Sequence, residues 1–309
     1  MPSLLDAVGN TPLLPLRHIP RRGAPVLVKC EHLNPSGSIK DRIAVSIVED
    51  ARARGVLEPG ATLIEATAGN TGIGLALVAA HHGYRLVCVM PQKMSEDKRR
   101  TLAAMGAQVI VTDDAPPSDP RNFQNVARAM AAERGWFLTD QFENPVNVAA
   151  HEHGTGPEIL QQVDGRLAAF VAGAGTGGTL TGVGRCMAAR GSSARLVLAD
   201  PEGSVLAHWV RTGELGPDGR YAVEGIGGSV APTNLDRSVV HEAETVSDEE
   251  SFAMTRRLIR EEGLFVGGSA GTAVVAALRV AERIGGDEPV VAVLPDGMDR
   301  YLSKGWLGG

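Results

Sequence analysis

The chain has 309 residues, 43% of them hydrophobic and 4% aromatic, with a formal net charge of −6, which is core material for one or two globular domains and carries no disorder signature. The acidic balance excludes a nucleic-acid partner: Lys and Arg are scattered apart from Arg21-Arg22 and Lys98-Arg99-Arg100, with no aromatic residues among them for base stacking. The opening run MPSLLDAVGNTPLL has neither a basic n-region nor a long apolar stretch, so no signal peptide, no membrane span and a cytoplasmic location are expected.

Along the chain, short apolar runs alternate with helical patterns. PVLVKC is followed by a helix face carrying Ile43, Ile47 and Val48; ATLIEA by GIGLALVAAHHG; RLVCVM by EDKRRTLAAMG; and AQVIVT by a helix near Asn125 to Glu133. Gly55, Gly83 and Gly106 fall where left-handed C-caps are expected. The rhythm resumes with RLAAFVAG, a helix near Thr179 to Arg190, ARLVLAD, the amphipathic SDEESFAMTRRLIREEG and the strand PVVAVLP. Such alternation predicts an α/β fold of mostly parallel sheets flanked by helices, and about ten strand candidates call for two sheets. DAPPSDPRN reads as a surface loop, the stretch from Gln141 to Asn147 as a crossover, and the Gly-rich 202–236 as an irregular active-site rim.

Four motifs carry chemistry. Lys40, in NPSGSIKDR and flanked by Gly37, Ser38 and Asp41, sits at the mouth of a helix, where amides and the helix dipole favour the neutral amine that a Schiff base needs. The second, GAGTGGTLTG, opens a helix after a strand, so Gly175 to Thr179 can offer amides and hydroxyls to an anion without any Lys or Arg. That loop has a rival reading. Gly173, Gly175 and Gly178 fit G-x-G-x-x-G, and Asp200 ends the next strand about 25 residues on, as in a nicotinamide-dependent oxidoreductase. In the third, EATAGNTGIGLA, the loop from Thr67 to Thr71 suits a carboxylate, and the fourth, VGGSAG, places Ser269 at a helix start. Cys30, Cys88 and Cys186 lie in apolar runs and read as reduced core thiols, while His151 and His153 lack the spacing of a helical zinc pair.

Taken in order, NPSGSIKDR, EATAGNTGIGLA, GAGTGGT and VGGSAG resemble the fold type II pyridoxal-phosphate enzymes of the cysteine synthase and cystathionine β-synthase family, across almost the whole chain. The resemblance implies a two-domain fold like that of tryptophan synthase β, with residues 1–37 plus 141–309 as the large cofactor-phosphate domain and 38–140 as a small mobile domain. It implies pyridoxal 5'-phosphate bound as an internal aldimine on Lys40, with Asn70 on its ring oxygen, Gly175, Thr176, Gly177, Gly178 and Thr179 around its phosphate, and Ser269 on its pyridine nitrogen. A hydroxyl there leaves that nitrogen largely unprotonated, which suits elimination at Cβ better than transamination. Thr67, Ala68, Gly69, Asn70, Thr71 and Gln141 fall at the positions that hold the amino-acid carboxylate. The family's usual loop reads TSGNTG, so Ala68 removes a hydroxyl, from which an altered rate or donor preference is expected.

The reaction implied is β-replacement on serine or O-acetylserine through an aminoacrylate, with Lys40 moving the Cα proton and a thiol adding to Cβ. ADPEGSV, VEGIG and REEGLFVGGSAG look more like cystathionine β-synthase than the ordinary cysteine synthases, and AGNTGIGLA together with YLSKGW resembles short bacterial versions that combine O-acetylserine with homocysteine, so homocysteine giving L-cystathionine is favoured. The alternatives are cysteine synthase acting on O-acetylserine or O-phosphoserine with sulfide, another β-substituted alanine synthase, a nicotinamide oxidoreductase, or an inactive binding paralogue. The resemblance also implies a homodimer, small-molecule partners only, no metal, and no regulatory tandem domain or haem-binding extension.

Overall fold

The computed structural model describes residues 3–308 apart from Ala68, Lys93, Ser95 and Pro117. In chain order its elements are β1 (Leu13–Pro15), β2 (Val26–Cys30), α1 (Lys40–Ala53), β3 (Thr62–Ala66), α2 (Asn70–His82), β4 (Arg85–Pro91), α3 (Glu96–Ala104), β5 (Gln108–Thr112), α4 (Phe123–Arg134), β6 (Phe137–Leu138), α5 (Val146–Ala150), α6 (Gly156–Gln162), β7 (Ala169–Ala172), α7 (Gly178–Ala189), β8 (Arg195–Pro201), α8 (Leu206–Thr212), β9 (Glu242–Val246), α9 (Asp248–Glu262), α10 (Gly268–Ile284) and β10 (Val290–Leu294). The chain forms two compact units, one made of the stretch up to Val8 with Asn34–Asn147, the other of Gly9–Leu33 with everything from Val148 onward.

The smaller unit holds a parallel sheet in the order β5-β4-β3-β6. Its two central strands, β3 and β4, are covered on both faces, which is why they read as continuous apolar runs. Leu63, Cys88 and Met90 pack with Ala44 and Val48 of α1 and Leu75 and Val78 of α2, while Ile64, Val87 and Val89 pack with Ala127 and Ala131 of α4. Gly55, Gly83 and Gly106 have φ of 69°, 71° and 87°, the left-handed conformation expected of them. The stretch up to Val8 and residues 34–37 and 141–147, which the sequence division places with the large domain, cluster with this unit. Asp41 accepts the Ser36 amide at 2.7 Å, and Asn147 Nδ2 donates to the Gln141 carbonyl at 2.7 Å.

The larger unit holds a six-stranded sheet in the order β1-β2-β10-β7-β8-β9, parallel except for the β1–β2 pair. One face is filled by Val26, Val171, Val197 and Val290 against Leu258 of α9 and the alanine-rich side of α10. Helix α9 starts at the capping box SDEE: the Ser247 hydroxyl accepts the Glu250 amide and Glu250 accepts the Ser247 amide. The stretch 202–236, expected to be irregular, contains α8. Asp200 accepts the Ala207 amide at 2.7 Å, which satisfies a free N–H in the first turn and lets a weakly periodic segment coil. The three thiols are buried and unpaired. Burial pushes those of Cys30 and Cys88 up to about 12. Among the described residues no helix is long and apolar enough to cross a membrane.

The run VGNTPLL is explained by a buried cation. Lys29 of β2 is wholly enclosed and its Nζ donates to the Thr11 carbonyl at 2.7 Å, Glu158 Oε2 at 2.8 Å and Gln162 Oε1 at 3.0 Å. Asn10, at φ 47°, donates its amide to Glu158 Oε1. Removing only the anion leaves that ammonium uncompensated, so Glu158→Ala is expected to cost about 3–5 kcal/mol in urea unfolding. Lys29→Met, which keeps the buried stem and deletes the charge, is expected to cost less.

Candidate active site

The smaller unit builds its site where strands end and helices begin. Thr67 follows β3, its amide held by the Val89 carbonyl at 3.0 Å, and its hydroxyl accepts the Gly69 amide at 3.2 Å. The chain then enters α2 at Asn70 with Gly69 as a cap that offers no side chain, so the first amides of a 13-residue helix face this loop. Thr71 and Gln141 are both buried, and the Thr71 hydroxyl donates to Gln141 Oε1 at 2.5 Å. Residues about 70 apart in sequence are thus joined, and Thr67, Gly69, Asn70, Thr71 and Gln141 lie together. Ala68 lies outside the described residues.

Lys40 is the first residue of α1, and its amide reaches Ser38 Oγ at 3.2 Å. Asp41 is fully buried and accepts both the amide and the hydroxyl of Ser36, which ties down the turn through Gly37. Helices α1 and α2 approach at Gly74, where a Cβ would lie 3.2 Å from each of the Lys40 carbonyl oxygen, Asp41 Oδ1 and Ala44 Cβ.

In the larger unit, β7 leads through Ala174 and Gly175 into α7. A Cβ at Gly175 would sit 2.4 Å from the Gly225 carbonyl oxygen, and Gly227 donates its amide to the Ala174 carbonyl at 2.8 Å, so the turn is backed by main chain. Gly177 is the left-handed N-cap, φ 86°, and again supplies no capping side chain. The exit of β10 abuts the start of α10, where Gly267 donates its amide to the Asp296 carbonyl. Glycine is required at 267, since a Cβ there would lie 2.4 Å from both Asp296 Oδ1 and Tyr301. Ser269 is 4% exposed, and among the described residues nothing hydrogen-bonds its hydroxyl.

Asp200, the acid of the dinucleotide reading, is fully buried and committed to the Ala207 amide; desolvation pushes its carboxyl up to about 6. A ribose hydroxyl has no access to it. Two neighbours of the site escaped sequence reasoning. His151 begins a π-helical turn, His151–Thr155, with Nδ1 2.9 Å from Thr155 Oγ1 and Nε2 3.3 Å from Thr179 Oγ1. In the sequence its spacing from His153 speaks only against metal binding. Glu65, the one charged residue in the strand run ATLIEA, is buried and bonded to the Gln141 amide at 3.1 Å.

The profile of a family described as pyridoxal-phosphate dependent enzyme matches residues 4–296. The chain belongs to this family. It is 44% identical to cystathionine beta-synthase of Apis mellifera over 98% of its own length and 61% of that protein's, and 42% identical to the Mus musculus protein of the same name over 98% and 55%. It therefore spans little more than half the length of these relatives. A cysteine synthase of Staphylococcus aureus is 40% identical over 97% of this chain and 95% of that one. Among solved structures, O-ureido-L-serine synthase superposes with a TM-score of 0.91 at 40% identity, covering 100% of this chain and 96% of the other.

Pyridoxal phosphate is the family's cofactor, and the residues present fit it. A turn whose glycines are closed off from behind leaves only amides and threonine hydroxyls for a phosphate, and a buried hydroxyl bonded to no described residue suits a ring nitrogen.

Proposed function

We propose that this pyridoxal-phosphate enzyme catalyses β-replacement on L-serine or an O-activated L-serine, with homocysteine as the incoming thiol and L-cystathionine as the product. The observation that carries the amino-acid part is the Thr71–Gln141 pair at the uncapped start of α2. Helix amides and side-chain donors suit an α-carboxylate without a cation. The bound cofactor supplies an electron sink for the Cα carbanion. Lys40 carries the cofactor, removes the Cα proton and later returns it, while Asn70 and Ser269 hold the ring and Gly175 to Thr179 the phosphate. The leaving group departs from Cβ with its electron pair, the thiol sulfur forms the new bond at that carbon, and the proton it gives up ends on the released group or in solvent.

Homocysteine is supported by the relatives named cystathionine beta-synthase. A second reading has its own support in the near full-length match to O-ureido-L-serine synthase. There the nucleophile would be the hydroxyl oxygen of hydroxyurea. The test offers the holoenzyme serine, O-acetylserine and O-phosphoserine against homocysteine, sulfide and hydroxyurea, with products identified by mass. Cystathionine is expected to form with kcat/KM at least about tenfold above the other products; preference for sulfide or hydroxyurea replaces the reading. Ala68→Ser in the same panel is expected to change the donor ranking, and an unchanged ranking removes any role for Ala68 in donor choice.

A further inference from the structure

We propose that Glu65 is a positioning residue for the amino-acid carboxylate, acting through the main chain of Gln141. Resting on the assignment of the Thr67–Thr71 loop and Gln141 to that carboxylate, the inference adds a residue that would touch neither substrate nor cofactor.

Glu65 stands on β3, two residues before Thr67, and is 1% exposed. One carboxylate oxygen accepts the Ala66 amide at 3.0 Å. The other accepts the Thr139 hydroxyl and, at 3.1 Å, the Gln141 amide. The two amides can only donate, and the Thr139 hydroxyl, which also lies 3.4 Å from the Ile64 carbonyl, donates to the closer carboxylate. The carboxylate is therefore a clamp between β3 and the segment after β6, and that segment has strained backbone to hold, since Asp140 between the two clamped residues has φ 45°. Gln141 hands the constraint on: its Oε1 accepts from Thr71, and its carbonyl accepts from Asn147. With Oε1 turned to the Thr71 hydroxyl, the other end of the amide, Nε2, is a donor of the kind a substrate carboxylate requires.

The clamp is strongest in the ionised form, which alone accepts all three donors: a proton on one oxygen would oppose the Ala66 N–H, and a proton on the other would turn the Thr139 hydroxyl towards the Ile64 carbonyl and weaken the Gln141 bond. Burial pushes the Glu65 carboxyl up to about 7, against the three hydrogen bonds that favour its charge. The groups facing it are Cys88, its partner across the β3–β4 ladder, whose thiol stays protonated, and Asp140, whose charge raises it further. Asp140 is itself paired with Arg128 of α4, which also holds Glu143. Affinity for the amino-acid donor should accordingly improve as pH rises through about 7 and weaken below it.

The test follows donor KM and kcat of the holoenzyme from pH 6 to 9. Glu65→Gln, whose NH2 must face either the Ala66 N–H or the Thr139 and Gln141 donors and can accept none of them, is expected to raise donor KM about tenfold at high pH, flatten its pH profile, and leave kcat and cofactor content close to wild type. Thr139→Val deletes one bond that favours the carboxylate, and is expected to move the wild-type inflection up by about half to one pH unit. An ionisation of the donor itself would not move with residue 139. The proposal is overturned if Glu65→Gln keeps the wild-type KM and profile, or, should that variant fail to fold, if the inflection is absent or unmoved in Thr139→Val. Thr71→Ala separates the two levels. Unchanged donor KM in Thr71→Ala defeats the carboxylate assignment, whereas a large rise there with no effect at Glu65 defeats this inference alone.

Discussion

Lys40→Ala is expected to lose turnover by about 10³-fold or more, together with the visible absorption of the holoenzyme, while the protein stays folded. Proton transfer at Cα and covalent attachment of the cofactor are assigned to one amine, so a single truncation removes both. The helix survives because the turn entering α1 is held by bonds that do not involve the Lys40 side chain: Asp41 accepts from Ser36, and Ser38 Oγ accepts the residue-40 amide. Alanine is also the best helix former for the vacated position. Steady-state assays, a visible spectrum before and after borohydride, and a urea midpoint read the three parts separately. Turnover within about tenfold of wild type would remove Lys40 from its role, and loss of the urea transition would mean that the lysine is structural.

What the sequence discloses follows from burial. Strands covered on both faces, such as RLVCVM at β4 and PVVAVLP at β10, are continuous apolar runs, and their alternation with helices reveals the fold. Strands β1, β6 and β9 were not legible because they are sheet edges, short or only half-buried, and so carry no such run. The site divides the same way. Lys40, Asn70, the Gly175 turn and Ser269 stand at helix starts, where glycine and hydroxyl residues must cluster for the chain to turn and approach closely. Glu65 and His151 sit inside regular elements and acquire meaning only from partners tens of residues away, Gln141 and Thr179. The smaller unit's boundary is non-local too: Ser36 and Gln141 belong to it through Asp41 and Thr71.

The second large effect is expected at Gly177, where one added methyl group meets two obstacles. At φ 86° alanine is strained by about 1–2 kcal/mol whatever surrounds it. Its Cβ would also lie 2.5–2.6 Å from Cβ, Cα and N of Leu235, and these cannot retreat. Leu235 is buried, and the chain on either side is clamped to α7 by Thr181, whose hydroxyl donates to the Asn234 carbonyl at 2.7 Å and accepts the Asp236 amide at 2.9 Å. Displacing that segment adds an overpacking cost of about 1–3 kcal/mol. Gly177→Ala should therefore lose about 2–5 kcal/mol in urea unfolding of the apoprotein. Gly191, just past the other end of the same helix, supplies the control. Its φ is 65° and a Cβ there would meet nothing within 4 Å, so Gly191→Ala bears the strain without the collision. If the turn holds the cofactor's phosphate, Gly177→Ala also weakens pyridoxal-phosphate binding by at least about tenfold in absorbance titration, and Gly191→Ala leaves it unchanged. Equal stability losses in the two variants would deny the collision. Unaltered cofactor affinity in a folded Gly177→Ala protein would take the phosphate away from this turn.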